Sequence, residues 1–149
     1  MTQQTGLLND ITVLDLSEGV SGPLCGKLLA GMGADVIKVE TPSTGDESRR
    51  AGPFPNDDPN SETSGAYLYL NMGKKGITLD IETDTGASLL RKLVKDSDIL
   101  IESSRPGYME SRELGYADLE PLNPGLVYTS ITPFGQTGPY RDYKGGDLV

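Results

Sequence analysis

Whatever chemistry this chain supports proceeds without histidine. Its 149 residues contain none, and they contain a single cysteine, Cys25. A Ser–His–Asp triad, a histidine general base and a His-ligated metal are therefore ruled out within the chain, and no metal ligands are expected. Carboxylates, hydroxyls, a few cations and glycine-rich bends remain. The most patterned bend is "EGVSGPLCG", Glu18–Gly26, with "VLDL" before it and "KLLAGMGADVIKVE" after it. A glycine bend between a strand and a helix commonly grips the phosphates of a nucleotide-like molecule. Glu40, closing the second strand, stands about where a dinucleotide fold puts the acid for a ribose hydroxyl. The bend is not G-x-G-x-x-G, however, and Pro23 takes one N–H away from the helix start. No G-x-x-x-x-G-K-[ST] loop occurs either. An NAD-binding dehydrogenase domain is thus the weaker of the nucleotide readings.

These residues need elements to position them. Ile11–Leu16 alternates apolar and polar residues and predicts a first strand. Ser17–Gly22 is a turn, and Pro23 suits the first helical position. Leu24, Cys25, Leu28, Leu29 and Met32 then make an apolar helical stripe, which places Cys25 as a buried, inert thiol. Gly31 and Gly33 end the helix. Val36–Val39 is a second strand, interrupted by Lys38, which has to reach an edge or a site. Thr41–Ser64 is a long polar loop, with a short helix near Ala66–Leu70. Gly76–Ile81 is a third strand. Thr83 caps a helix running to about Lys95, with Leu89, Leu90, Leu93 and Val94 facing inward. Asp98–Ile101 is a fourth strand. Short helices follow around Tyr108–Leu114 and Ala117–Leu122, and Leu126–Ile131 is a fifth strand. Strands alternating with helices predict an α/β fold with a doubly wound parallel sheet. In such sheets ligands bind beyond the carboxyl ends of the strands, so the five strand exits are expected to gather along one rim.

A net charge of −9 disfavours nonspecific binding to nucleic acid or anionic membranes. No apolar run approaches the ~20 residues of a membrane span. With one cysteine and no signal-peptide pattern, the cytoplasm is the default location. Asp15, within the first strand, reads as structural. Arg49–Arg50 and Lys74–Lys75 read as solvated. The last residues begin a new apolar segment, which suggests the front part of a longer protein.

"VLDLSEGVSGPLCGKLLAGMGADVIKVETPSTGD" resembles the opening of the class III CoA-transferases (the CaiB/BaiF group). The likeness continues in order through "NMGKKGITLDI", "DILIESSRPG", "LNPGLVYTSITPFGQTGPY" and "GGDLV". It implies a Rossmann-like large domain, of which residues 1–149 form the N-terminal part, with the rest of that domain and a smaller one lacking. It also implies interlocked homodimers, and acyl-CoA and carboxylic acids as substrates, with no permanent cofactor. The implied reaction moves CoA between acids through an aspartyl covalent intermediate. The nucleophilic aspartate would lie downstream of Val149, so no catalytic residue is expected here and the isolated chain is expected to be inactive. Asp147 matches an acidic position that lines the active site in some members. The implied CoA-binding residues are Val20, Ser21, Thr41, Leu79, Asp80, Ile81, Ser103, Ser104, Arg105, Arg112 and Lys144. Leu79 and Ile81, as strand residues, suit a core better than a site, while Arg105 equally suits solvent and Arg112 a surface pair with Glu110 or Glu113. Racemases of the family place a histidine where Gly146 stands, which favours a transferase. A noncatalytic fragment is the remaining alternative.

Overall fold

The structure is a computed structural model that describes residues 6–145. The five strands are β1 (Thr12–Asp15), β2 (Asp35–Glu40), β3 (Lys75–Thr78), β4 (Ile99–Glu102) and β5 (Val127–Ser130). They form one parallel sheet in the order β3-β2-β1-β4-β5. The helices are α1 (Ser21–Gly31), α2 (Gly65–Leu70), α3 (Asp84–Lys95), α4 (Tyr108–Ser111) and α5 (Tyr116–Leu119). The expected α/β class and parallel sheet are found. The strand order reverses between β1 and β4, so the ends of these two strands form the switch point. No helix among the described residues is long and apolar enough to cross a membrane.

Successive strand residues face opposite sides of the sheet, and each side has its own core. Leu14 and Leu100 pack with Leu90 and Val94 of α3 and with Met109, Leu114 and Leu119. Val13, Val36 and Ile101 pack on the other side, against Cys25, Leu29 and Ala30 of α1.

The face that α1 buries differs from the expected stripe. Leu28 and Met32 are 55% and 48% exposed and Cys25 is half-buried, whereas Gly22, Pro23 and Gly26 are buried. The reason is close approach. A Cβ on Gly22 would collide with the Ser17 side chain, and one on Gly26 would lie 2.8 Å from Asp15 Oδ2. The bare ridge of glycines lets α1 sit directly on the end of β1, and this turns Leu28 and Met32 outward. Pro23 is the third residue of α1 rather than the first, still within the turn whose N–H groups lack helical partners.

Other boundaries shift for local reasons. β3 stops at Thr78, short of the expected Ile81, because Asp80 Oδ1 accepts the Glu82 N–H at 3.0 Å and turns the chain. Thr83 caps α3 as expected, accepting the Gly86 N–H at 3.0 Å. Leu90 and Val94 are buried, but Leu89 is exposed rather than inward. Residues 41–64 are more than a loop. They hold short 3-10 turns at Glu47–Arg50 and Pro55–Asp57, the first capped by Asp46. The two short helices α4 and α5 end sooner than expected, at Ser111 and Leu119.

Candidate functional site

All five strand exits open onto one cleft of about 1000 Å³. It is lined by Leu16 and Glu18–Gly22 after β1, Thr41 and Glu47 after β2, Asp80–Glu82 after β3, Ser103–Arg105 after β4, and Ile131–Phe134 after β5. The gathering of exits on one rim is therefore present. Ser21 and Gly22 open α1, where the first N–H groups have no acceptor within the helix. The positive end of the helix dipole thus faces the cleft mouth.

Eight of the eleven residues expected to bind ligand line this cleft: Val20, Ser21, Thr41, Asp80, Ile81, Ser103, Ser104 and Arg105. Val20 is exposed, so only its side-chain surface is on offer. Ser103 Oγ accepts the Glu18 N–H at 2.8 Å and so joins the β1 and β4 exits across the switch point. Arg105 is exposed on the lip.

The other three lie elsewhere. Leu79 packs against the α3 core cluster, and its N–H bonds Glu40 O at 2.9 Å. Arg112 lines a separate cavity of about 340 Å³ at the start of α3, together with Glu82, Arg91 and Glu113. Its carboxylate partner is Glu82, at 3.7 Å, rather than Glu110 or Glu113. Lys144 is exposed and outside the lining, although its neighbour Gly145 belongs to it. Asp147 falls outside the described residues.

Beneath the β1 and β2 exits lies a layer of buried charge that the sequence reading missed. Register sets Asp15 of β1 beside Lys38 of β2, on the face that α1 covers. Lys38 Nζ reaches Ser17 O and pairs with Asp46 Oδ2 at 2.7 Å; both side chains are buried. Lys74, expected in solvent, is buried too. Its Nζ bonds Asp15 Oδ2 at 2.6 Å, Pro23 O at 2.8 Å and Asn71 Oδ1 at 2.7 Å. Burial pulls the Lys74 ammonium below its ordinary pKa, and Asp15 opposes that pull. Lys75 is the solvated member of the pair, bridging to Asp35 on the surface.

Glu40 is fully engaged. Arg49 grips it with Nε to Oε2 at 2.6 Å and Nη2 to Oε1 at 2.9 Å. The Tyr67 hydroxyl donates to Oε1 at 2.5 Å, and the Asp46 N–H donates to Oε2 at 2.9 Å. The Arg49 guanidinium also lies over the Tyr67 ring, 3.7 Å from its centroid, so Arg49 is not solvated as expected. Burial alone would raise the carboxyl pKa; these donors outweigh it and hold the group at about 2.

Under the β4 and β5 exits the buried acid is Glu102, whose Oε2 accepts the Ser104 N–H at 2.6 Å. Register places Ser130 beside it, and Gln136 donates to Ser130 Oγ. Here burial dominates and raises the carboxyl pKa. In the cleft itself, Glu18 is also raised, first by burial and then by the Asp46 charge.

Glu18, Gly19, Glu47, Glu82, Tyr108 and Phe134 complete much of the lining and were not among the eleven residues expected to bind ligand, although Glu18 and Gly19 belong to the glycine bend. Adjacency to a strand end would have found Glu18, Gly19 and Glu82. Glu47 arrives only through the Asp46-capped turn, which no local pattern announces. Among the described residues no group of three or more His, Cys, Asp or Glu is placed to hold a metal ion.

A parallel sheet in this order, with a cleft over its switch point, defines a Rossmann-like α/β protein. The sequence model of CoA-transferase family III matches residues 8–149, and the chain belongs to that family. It is 46% identical over 137 residues to the succinyl-CoA:(R)-benzylsuccinate CoA-transferase subunit BbsE of Thauera aromatica, covering 92% of this chain and 33% of that protein. It is 44% identical over 144 residues to the succinate–glutarate CoA-transferase of Agrobacterium fabrum, covering 95% of this chain and 36% of that one. The crystal structure of a CAIB/BAIF family protein from Brucella suis superposes with a TM-score of 0.86 at 40% identity, covering 97% of this chain and 38% of that chain. The chain thus spans about a third of the length of these relatives.

Proposed function

We propose that this chain forms the N-terminal part of the large domain of a CoA-transferase, and that its cleft binds the CoA of an acyl-CoA substrate. The observation that best supports this is the meeting of five strand exits on one cleft, in a chain of this family. Phosphate oxygens suit the open N–H groups of Ser21 and Gly22 and the Arg105 cation on the lip. Val20, Thr41, Asp80, Ile81, Ser103 and Ser104 supply contact and hydrogen bonds along a thin pantetheine arm. Arg112 and Lys144 stand outside the cleft and would serve the nucleotide end. The dinucleotide alternative needs a free acid for a ribose hydroxyl, and both oxygens of Glu40 are already taken.

The chemistry carried by the resemblance is covalent carboxylate catalysis. An aspartate attacks the thioester carbonyl, the C–S bond breaks, and a mixed anhydride forms with release of CoA thiolate. The thiolate attacks the aspartyl carbonyl of the anhydride and expels the donor acid, leaving an aspartyl-CoA thioester. The acceptor carboxylate attacks that thioester and again frees the thiolate. The thiolate then attacks the acceptor's carbonyl and releases the aspartate. The attacking aspartate is expected beyond Val149, with Asp147 in a supporting place. This chain's contribution is to hold and orient CoA. The relatives' names make succinyl-CoA the first donor to test. A homodimer and a cytoplasmic location belong to the same reading.

Calorimetric titration of the protein with CoA, and separately with NAD, tests the assignment. Heat from CoA alone is expected; a preference for NAD would reverse the reading. The 149-residue chain, mixed with succinyl-CoA and glutarate, is expected to give no CoA exchange by mass spectrometry.

A further inference from the structure

Lys38 is a long cation in the second strand of the sheet, almost wholly buried, and no step above uses it. Burying an ammonium is costly unless its partners are well placed. The partners here belong to two different walls of the cleft. Ser17 O, at the start of the β1 turn, accepts one hydrogen bond. Asp46, in the segment after β2, supplies the opposite charge at 2.7 Å. The other carboxylate oxygen of Asp46 works in both directions. It accepts the Gly19 N–H at 3.2 Å from the β1 turn, and the Ser48 N–H and Oγ at 2.8 and 2.7 Å from its own segment. Among the described residues Lys38 Nζ is the one cation paired with Asp46 Oδ2, so this ion pair compensates that oxygen. Gly19 holds φ at +79°, the left-handed conformation that lets its N–H turn down toward Asp46.

We propose that Lys38 is a positioning residue of the cleft: with Asp46 it fixes the spacing between the Gly19–Ser21 turn and the Thr41–Glu47 wall, and so sets the affinity for CoA. This rests on the CoA reading of the cleft. Gly19, Val20 and Ser21 line one side, Thr41 and Glu47 the other, and the ion pair is the buried tie between them. The charges to be considered around it are Asp15 and Lys74 on the adjoining pair, Glu18 and Glu47 above, and Glu40, whose carboxylate accepts the Asp46 N–H. Asp46 stays ionised in this company: burial works against its charge, and the Lys38 charge and the Ser48 hydrogen bonds together outweigh that and lower its pKa.

The test removes the tie without stranding a charge. The double variant Lys38→Met, Asp46→Asn keeps an acceptor for Gly19 and Ser48 but loses the ion pair. Calorimetry with CoA, run where far-UV circular dichroism shows native structure, is expected to give a Kd raised about tenfold. A role confined to stability lowers the melting temperature and leaves Kd unchanged. Ser48→Ala takes one donor from Asp46 with no change of charge and is expected to raise Kd about threefold. If the double variant does not reach the native signal, Ser48→Ala decides. CoA binding by wild type with undiminished affinity in the folded variants overturns this assignment alone. Absence of CoA binding by wild type overturns the CoA reading, and this assignment with it.

Discussion

The two sides of the cleft meet the same problem by different means. At strand ends, polar groups are buried below a surface that must stay open to ligand. Under β1 and β2 the solution is paired charge: Lys38 with Asp46, Lys74 with Asp15, and Arg49 with Glu40. Under β4 and β5 it is one carboxyl, Glu102, held by Ser104 and set beside Ser130 over a leucine core. Ion pairs lock geometry, but each half depends on the other. A lone buried carboxyl favours its protonated form and tolerates neutral replacement. The side that carries the glycine bend is therefore the more sensitive to loss of a single charge.

The comparison is broken most easily at Lys74. Lys74→Met strands the Asp15 carboxylate beneath α1, and urea unfolding is expected to show a loss of about 3–5 kcal/mol. A loss below about 1 kcal/mol would mean that the layer of charge is not what holds this side together. Next in size is the acid limb of stability. Glu40 sits at about 2 in the fold, below the ordinary carboxylate range. Its contribution is therefore complete above pH 4.5 and is lost as pH falls toward 2, amounting to about 3 kcal/mol. Unfolding midpoints between pH 2 and 6 are expected to converge for wild type and Glu40→Gln at the acid end and to separate above it. The smallest effect belongs to the other side. Glu102 is raised by burial, so its contribution is complete below the ordinary carboxylate pKa and is lost as pH rises through its folded value. Glu102→Gln is expected to stay within about 1 kcal/mol of wild type at pH 4, and to gain on wild type as pH rises. A Glu102→Gln variant that instead tracks the behaviour of Glu40→Gln would erase the distinction between the two sides.

Much of the frame was legible in the chain. The alternation of Val and Ile runs with helical spacing placed all five strands and the cap at Thr83, because these signals act within a few residues. The meeting of strand exits followed from the geometry of parallel sheets, and eight of the eleven residues implied by the family resemblance line the cleft where they meet. What failed was the assignment of neighbours. Arg112 turned to Glu82 rather than to the nearby Glu110 or Glu113. The stripe on α1 was outvoted by Gly22 and Gly26, whose importance lies in what they touch, Ser17 and Asp15. Glu40 was in the place expected of a ribose acid but had already been claimed by Arg49 and Tyr67.

By itself the sequence determined the α/β alternation and the glycine bend between β1 and α1, since these depend on residue type and short spacing. The tertiary structure alone decided that Lys38 and Lys74 are buried and paired. Lys74 meets Asp15 across 59 residues of chain. Whether a lysine is solvated or enclosed depends on the carboxylate that the fold brings to it, and no local pattern records that partner.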